Sequence, residues 1–235
     1  MATPSTATPE NIVSLDLADQ SLREVNGALQ EARAGYYRVR NPRGVHALAC
    51  GLDGPIEVEI DGHAGYYLAG MNKEARVTVQ GSAGVGVAEN MMSGEVWVQG
   101  DASQSAGATA HGGLLVVEGN ASARCGISLK GADIVVKGSV GHMSCFMAQA
   151  GRLVVLGDAG DSLGDSLYEA RLYVRGNVKS LGADCVEKPM RDEHLKELDE
   201  LLARARCEGV SASEFRRYGS ARSLYNFKTD NIGFY

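Results

Sequence analysis

A chain of 235 residues with 44% hydrophobic residues has enough apolar material for one buried core. Its formal net charge of −6, with no basic stripe to neutralise phosphates, excludes a nucleic-acid binder. No apolar run approaches the length needed to span a bilayer, which excludes a helical membrane protein.

Residues 1–14 begin Met1-Ala2-Thr3-Pro4-Ser5-Thr6, with neither a basic segment nor an apolar core. They read as a short disordered lead rather than a secretion signal, so a cytoplasmic protein is expected. Residues 15–50 form an N-terminal helix and entry segment. Ser21-Leu22-Arg23-Glu24 has the pattern of a capping box opening a helix. Leu22, Val25 and Leu29 share one face of it, and Gly35 is placed to stop it.

Residues 51–188 are a repeat. Gly62, Gly81, Gly100, Gly119, Gly138, Gly157 and Gly176 recur every nineteen residues without insertion. A strict short period means one small unit stacked on copies of itself. Four residues before each glycine stand Val58, Val77, Val96, Leu115, Ile134, Leu153 and Leu172. Two before it stand Ile60, Val79, Val98, Val117, Val136, Val155 and Val174. This period-two alternation predicts strands with one buried face. The residue just before the glycine is mostly polar and is expected to face solvent or a partner. Small residues return two, seven and thirteen places after the glycine, as at Ala83, Ala88 and Gly94. Such corners need φ > 0 or a close backbone approach. Equivalent positions would then stack about 4.8 Å apart. The predicted fold is all-β, a right-handed parallel β-helix of about seven coils, with short capping helices at both ends.

Residues 189–235 form a C-terminal helix and an aromatic tail. Leu195, Leu198, Leu201 and Leu202 are helically spaced, and Gly209 is a candidate stop. Phe215, Tyr218, Tyr225, Phe227, Phe234 and Tyr235 are interleaved with Arg216, Arg217, Arg222 and Lys228. Aromatic and arginine side chains dominate interface energetics. Phe215, Arg216, Arg217, Tyr218, Tyr225, Phe227, Phe234 and Tyr235 are therefore candidate partner contacts, with packing on the chain's own β-helix as the alternative.

Candidates for chemistry are sparse. Cys50, Cys125, Cys145, Cys185 and Cys207 contain no CxxC pair. Cys125, Cys145 and Cys185 stand at different offsets from their glycines, which argues against a stacked thiol cluster. His46, His63, His111, His142 and His194 form no metal-ligand pattern. His142-Met143-Ser144-Cys145 places a nucleophile near a base, but a plain turn of the repeat accounts for it. Asp158, Asp161, Asp165 and Glu169 make the sixth repeat acidic, as paired catalytic carboxylates, as calcium ligands or as a solvated face. Gly81-Ser82-Ala83-Gly84-Val85-Gly86 is not followed by the helix that a nucleotide loop requires. No catalytic, cofactor-binding or metal-binding residue is assigned.

The spacing Gly157-xx-Gly160-xxx-Gly164 carries a resemblance. Gly62/Gly65/Ala69, Gly81/Gly84/Ala88 and Gly138/Gly141/Cys145 repeat it with one small substitution; Ser103, Ser122 and Lys179 take the middle place elsewhere. The chain resembles the C-terminal GXGXG β-helix domain of glutamate synthase large subunits over roughly residues 40–187. Among free-standing versions it is most similar to the β-helix component of N-methylglutamate synthase, also called methylamine–glutamate N-methyltransferase. The stretches Gly84 to Gly94, Gly107 to Gly113, Leu181 to Val186 and Leu22 to Asn26 carry that likeness.

The resemblance implies a structural subunit of a hetero-oligomeric complex. One partner would resemble a glutamine amidotransferase. Another would resemble the FMN-binding glutamate synthase domain, with FMN and an iron–sulfur cluster. No cofactor is expected in this chain. Alternatives are the β-helix component of a formylmethanofuran dehydrogenase or formyltransferase/hydrolase complex, and a stand-alone carbohydrate-active β-helix enzyme. The last would need loop insertions, which the uninterrupted repeat lacks. A hexapeptide acyltransferase would need coils in multiples of six.

Overall fold

The computed structural model describes residues 11–221. The chain opens with β1 (Ile12–Asp16), α1 (Leu22–Glu31) and β2 (Tyr36–Arg40). The repeat supplies β3 (Glu57–Ile60), β4 (Arg76–Val79), β5 (Glu95–Val98), β6 (Leu114–Val117), β7 (Lys130–Val136), β8 (Ala150–Val155) and β9 (Arg171–Val174). Then come β10 (Cys185–Lys188), α2 (Asp192–Arg204) and β11 (Arg216–Ser220). The strands join in one sheet in the order β1-β2-β3-β4-β5-β6-β7-β8-β9-β11-β10. From β1 to β9 every pairing is parallel.

This is a parallel β-solenoid, and its register is that of the repeat. Val58 sits on Val77, then Val96, Leu115, Ile134, Leu153 and Leu172. These side chains and the column from Ile60 to Val174 are buried inside the coil. A second ladder of single bridges runs from Ala64 through Ala83, Ala102, Ala121, Val140 and Ala159 to Val178.

Each coil closes through a six-residue turn, such as 85–90 or 142–147. The fifth, seventh and ninth residues after the glycine have positive φ, as in Met143 (φ 55), Cys145 (φ 58) and Met147 (φ 53). Their N–H groups alternate in direction. Tyr67 N–H donates to Val85 O of the next coil, Ala69 N–H to Leu48 O of the previous one, and Met71 N–H to Glu89 O of the next. A left-handed non-glycine residue costs roughly 1–2 kcal/mol, and an inter-coil hydrogen bond offsets about 1 kcal/mol of that. The seventh position is small because it is left-handed and buried; Gly164 (φ +67) shows both constraints. The repeat glycine has a different cause. At Gly138 a Cβ would lie 2.6 Å from Gly119 O of the coil above, so the columns of glycines permit close backbone stacking.

The two ends are closed differently. At the N-terminal end α1 begins with the predicted capping box, Ser21 and Glu24 reciprocally bonded. Its Asn26 replaces the coil that is missing above. Asn26 Oδ1 accepts from Ala49 N–H at 2.8 Å and Asn26 Nδ2 donates to Ala47 O at 2.8 Å. Gln30 Nε2 donates to Cys50 O at 2.8 Å. Asn26→Ala leaves a turn N–H and a carbonyl unpaired. We expect a loss of about 1–3 kcal/mol, read as a lower midpoint in denaturant with an unchanged slope.

Three expectations need correction. Residues 12–14, read as part of the lead, belong to β1, which pairs with β2 from Ile12↔Tyr36 to Asp16↔Arg40. Helix α1 ends at Glu31 with an extended Ala32, four residues before Gly35. And α2 lies along the flank of the sheet rather than over the last coil. Its Leu198, Leu201, Leu202 and Ala205 pack on Trp97, Leu114, Val116, Val135, Val154 and Tyr173, the outward residues of β5 to β9. Those strands are thus buried on both faces, not one. The C-terminal end is sealed by β11, inserted antiparallel between β9 and β10.

Candidate interaction surfaces

The solenoid presents three kinds of lateral surface. The first is the outer face of the sheet. Its apolar strip from Trp97 to Tyr173 is covered by α2, and an ion network fixes the helix there. Arg152 grips Asp133 with two 2.7 Å bonds, Nε to Oδ1 and Nη2 to Oδ2. Arg204 of α2 reaches Asp133 Oδ2 at 3.2 Å. Glu197 of α2 accepts from Arg171 and from the Tyr173 hydroxyl, whose ionisation is pushed up by burial and by that carboxylate. Beyond the helix, the Arg206 guanidinium lies 4.8 Å over the Trp97 ring. Toward the N-terminus the same face is polar, with the ion pairs Arg38–Glu59 and Arg76–Glu95.

The second surface is a polar ladder just after the repeat glycine. Each side chain there accepts from the backbone N–H of its equivalent one coil on: His63 from Ser82, Ser82 from Asp101, Asp101 from Asn120, Asn120 from Ser139, Ser139 from Asp158, and Asp158 from Asn177. This ladder binds coil to coil.

The third surface is the turn side. Tyr66, Met71, Val85, Met92 and Met147 are 42–53% exposed there. Phe146, Ile127 and Met143, also on the turns, are half-buried. His46 stacks on Tyr66, ring centroids 3.8 Å apart, and its Nδ1 accepts from Tyr66 N–H. Exposed apolar side chains gathered on one face mark interaction sites, and methionine suits surfaces that adapt to a partner.

The residues suspected of chemistry are occupied by the fold. Ser144 is fully buried and donates to Gly141 O at 2.9 Å. Cys145 is buried too, while His142 stands exposed, so the three do not converge. Asp161 pairs with Lys179, Asp158 serves the ladder, and Asp165 accepts from Ser166 Oγ and Ala183 N–H. Among the described residues no three His, Cys, Asp or Glu side chains are arranged to hold a metal ion.

The thiols depart from expectation in one respect. Cys125, Cys145 and Cys185 do share one region of the core. The last coil is one residue short, pairing Leu163 with Leu181, and this slides Cys185 under Gly164. Burial pushes Cys125 and Cys185 up to about 12 and Cys145 well above the ordinary thiol range. They are neutral packing groups rather than nucleophiles.

Of the tail candidates, Phe215 and Tyr218 are buried within this chain, on the α2 cluster and the coil core respectively. Arg216 and Arg217 lie on β11. Tyr225, Phe227, Phe234 and Tyr235 lie outside the described residues.

The model of the GXGXG motif family matches residues 45–205. The chain belongs to the GXGXG family. This agrees with the resemblance to the glutamate synthase C-terminal domain. A curated relative, Protein GlxC from Rhizobium meliloti (strain 1021), is 63% identical over 225 residues, covering 94% of this chain and 99% of that protein. No helix among the described residues is long and apolar enough to cross a membrane.

In this GXGXG domain one histidine has a role that sequence did not show. His194 is 7% exposed, and its Nδ1 accepts from Arg191 N–H at 3.2 Å at the start of α2. Burial, and then Arg217, hold its pKa below the ordinary value, against Glu193 and Glu197. The unfolded chain therefore binds the extra proton more readily. This contribution to stability is fully present above about pH 6.5 and is lost as pH falls through the lower folded value. Melting midpoints should fall on acidification more steeply for the native chain than for His194→Gln. Parallel curves would remove His194 from the account.

Proposed function

We propose that this chain is the structural subunit of a glutamate-synthase-like complex, and specifically of an N-methylglutamate synthase converting methylamine and glutamate to N-methylglutamate and ammonia. Its partners on this reading are a glutamine-amidotransferase-like subunit and an FMN-binding subunit that carries the iron–sulfur cluster. Family membership and the likeness of Gly84 to Gly94 and Gly107 to Gly113 support the assignment. The observation that carries it is the exposed Tyr66–Met147 turn surface on a solenoid whose two other lateral surfaces are covered or internally bonded. Such a rigid prism positions other subunits, and small misplacements of reacting groups cost rate steeply.

The test is reconstitution from the three purified subunits. Turnover of methylamine and glutamate should need this chain, which alone should be inactive. The double variant Tyr66→Glu, Met147→Glu should melt normally and yet fail to restore activity, because charges buried at an interface are costly. Full turnover without the chain, or turnover by the chain alone, overturns the proposal.

A further inference from the structure

The C-terminal coil departs from the electrostatic pattern of the rest of the sheet. Along the outer face most cations have a carboxylate partner: Arg38 with Glu59, Arg76 with Glu95, Lys137 with Glu118, Arg152 with Asp133, and Arg171 with Glu197; Arg40 of β2 and Lys130 of β7 form no such pair among the described residues. On the last two strands this stops. The register sets Lys188 of β10 directly opposite Arg217 of β11. Like charges directly opposite on antiparallel strands are destabilising. Arg217 Nε and Nη2 donate only to Pro189 O, at 3.1 and 3.0 Å, and Arg216 Nη2 to Gly176 O at 2.8 Å. Among the described residues, Lys188, Arg216 and Arg217 enter no ion pair. Three cations without a carboxylate among the described residues thus adjoin one another in register, Arg217 opposite Tyr173 on the outer face and Arg216 opposite Val174 on the inner one, in a chain of net charge −6.

The same residues surround a recess of about 390 Å³. Pro189, Met190 and Phe215 supply its apolar lining, and Lys188, Arg216 and Arg217 its cationic lining; Glu187 leaves the balance positive. The recess adjoins β10, the outermost strand on this side of the sheet among the described residues. A free strand edge offers backbone groups to an incoming strand, and adjacent pockets select its side chains.

We propose that this edge is a docking surface for an acidic, extended segment of a partner protein. The segment adds a strand to β10, and its carboxylates lie against Lys188, Arg216 and Arg217. Lys188 then has two effects. It deters pairing with neutral or basic strands, as charged residues on edges do, and it favours an acidic one. The proposal concerns this chain alone and stands apart from the identity of the complex.

The probe is a fluorescein-labelled peptide of alternating glutamate and valine, titrated with the full chain and read by fluorescence anisotropy. Binding should weaken with salt and be lost when glutamine replaces glutamate. Lys188→Glu with Arg216→Glu should weaken it by roughly ten-fold or more, with unchanged melting and Trp97 emission. Equal binding of the glutamine peptide, or no effect of the double variant, overturns the proposal. So does no binding by the full chain, whether because another part of the chain fills the recess or because a second copy does; sedimentation separates those two.

Discussion

One residue inserted between Leu115 and Val116 should abolish the cooperative melt of this protein. Strand β6 is buried on both faces, Leu115 and Val117 inward and Leu114 and Val116 under α2. An insertion exchanges the faces of every residue after it until the register is restored. Elsewhere a strand can turn a displaced side chain to solvent, but β6 has no solvent face. It also pairs with both β5 and β7, so the slip breaks two ladders together. Displacing Val116 and Val117 alone forfeits about 1.5–3 kcal/mol each, against a total stability of about 5–15 kcal/mol for a domain. The chain has one tryptophan, Trp97, beside this strand. Its emission should shift to the red, as of a solvated indole, in the soluble fraction. A sharp thermal transition at the native midpoint would refute the stacked register.

Most of the coil is legible in the sequence because its causes are local and repeat. Val58 to Leu172 and Ile60 to Val174 recur at fixed offsets, so a single unit states the core of all seven. The seat of α2 is written at an offset outside that alternation. Three residues before each glycine stand Glu59, Thr78, Trp97, Val116, Val135, Val154 and Tyr173. The column changes from polar to apolar at Trp97, and that change marks where α2 lies. The turn-side surface is hidden for another reason. Tyr66 and Val85 stand four places after the glycine, Met71 and Met147 nine, and Met92 eleven. Only the alternating left-handed turn brings those offsets to one side. Arg216 and Arg217 are marked in the sequence but the recess they line is not, because β11 pairs antiparallel between strands that precede it, a connection without period. For the same reason the sequence leaves open whether Phe215 and Tyr218 meet a partner or the chain's own coil, since aromatic density signals burial but does not say by what.

Removing residues 215–235 should therefore open the solenoid rather than merely trim it. From sequence alone the coil is expected to survive that cut. In the structure, β11 covers the edge of β9, with Arg216 opposite Val174 and Tyr218 opposite Leu172. Without it β9 presents unpaired backbone groups, and β10 loses the strand to which it is bonded. Exposed parallel edges recruit other chains. Two buried side chains go as well: Tyr218 from the coil core and Phe215 from the cluster under α2. Deletions of large buried aromatics cost about 3–5 kcal/mol each, a large part of a domain's stability. The truncated chain should melt well below the native one and self-associate in sedimentation velocity. The two losses can be separated. Phe215→Ala keeps β11 and should lower the midpoint without self-association. Tyr218→Lys keeps its backbone but places a charge in the core, and should do both. If the truncated chain stays monomeric with a native melt, the end of the solenoid is closed by something other than β11. The burial of Tyr218 at 2% exposure would then have no energetic weight.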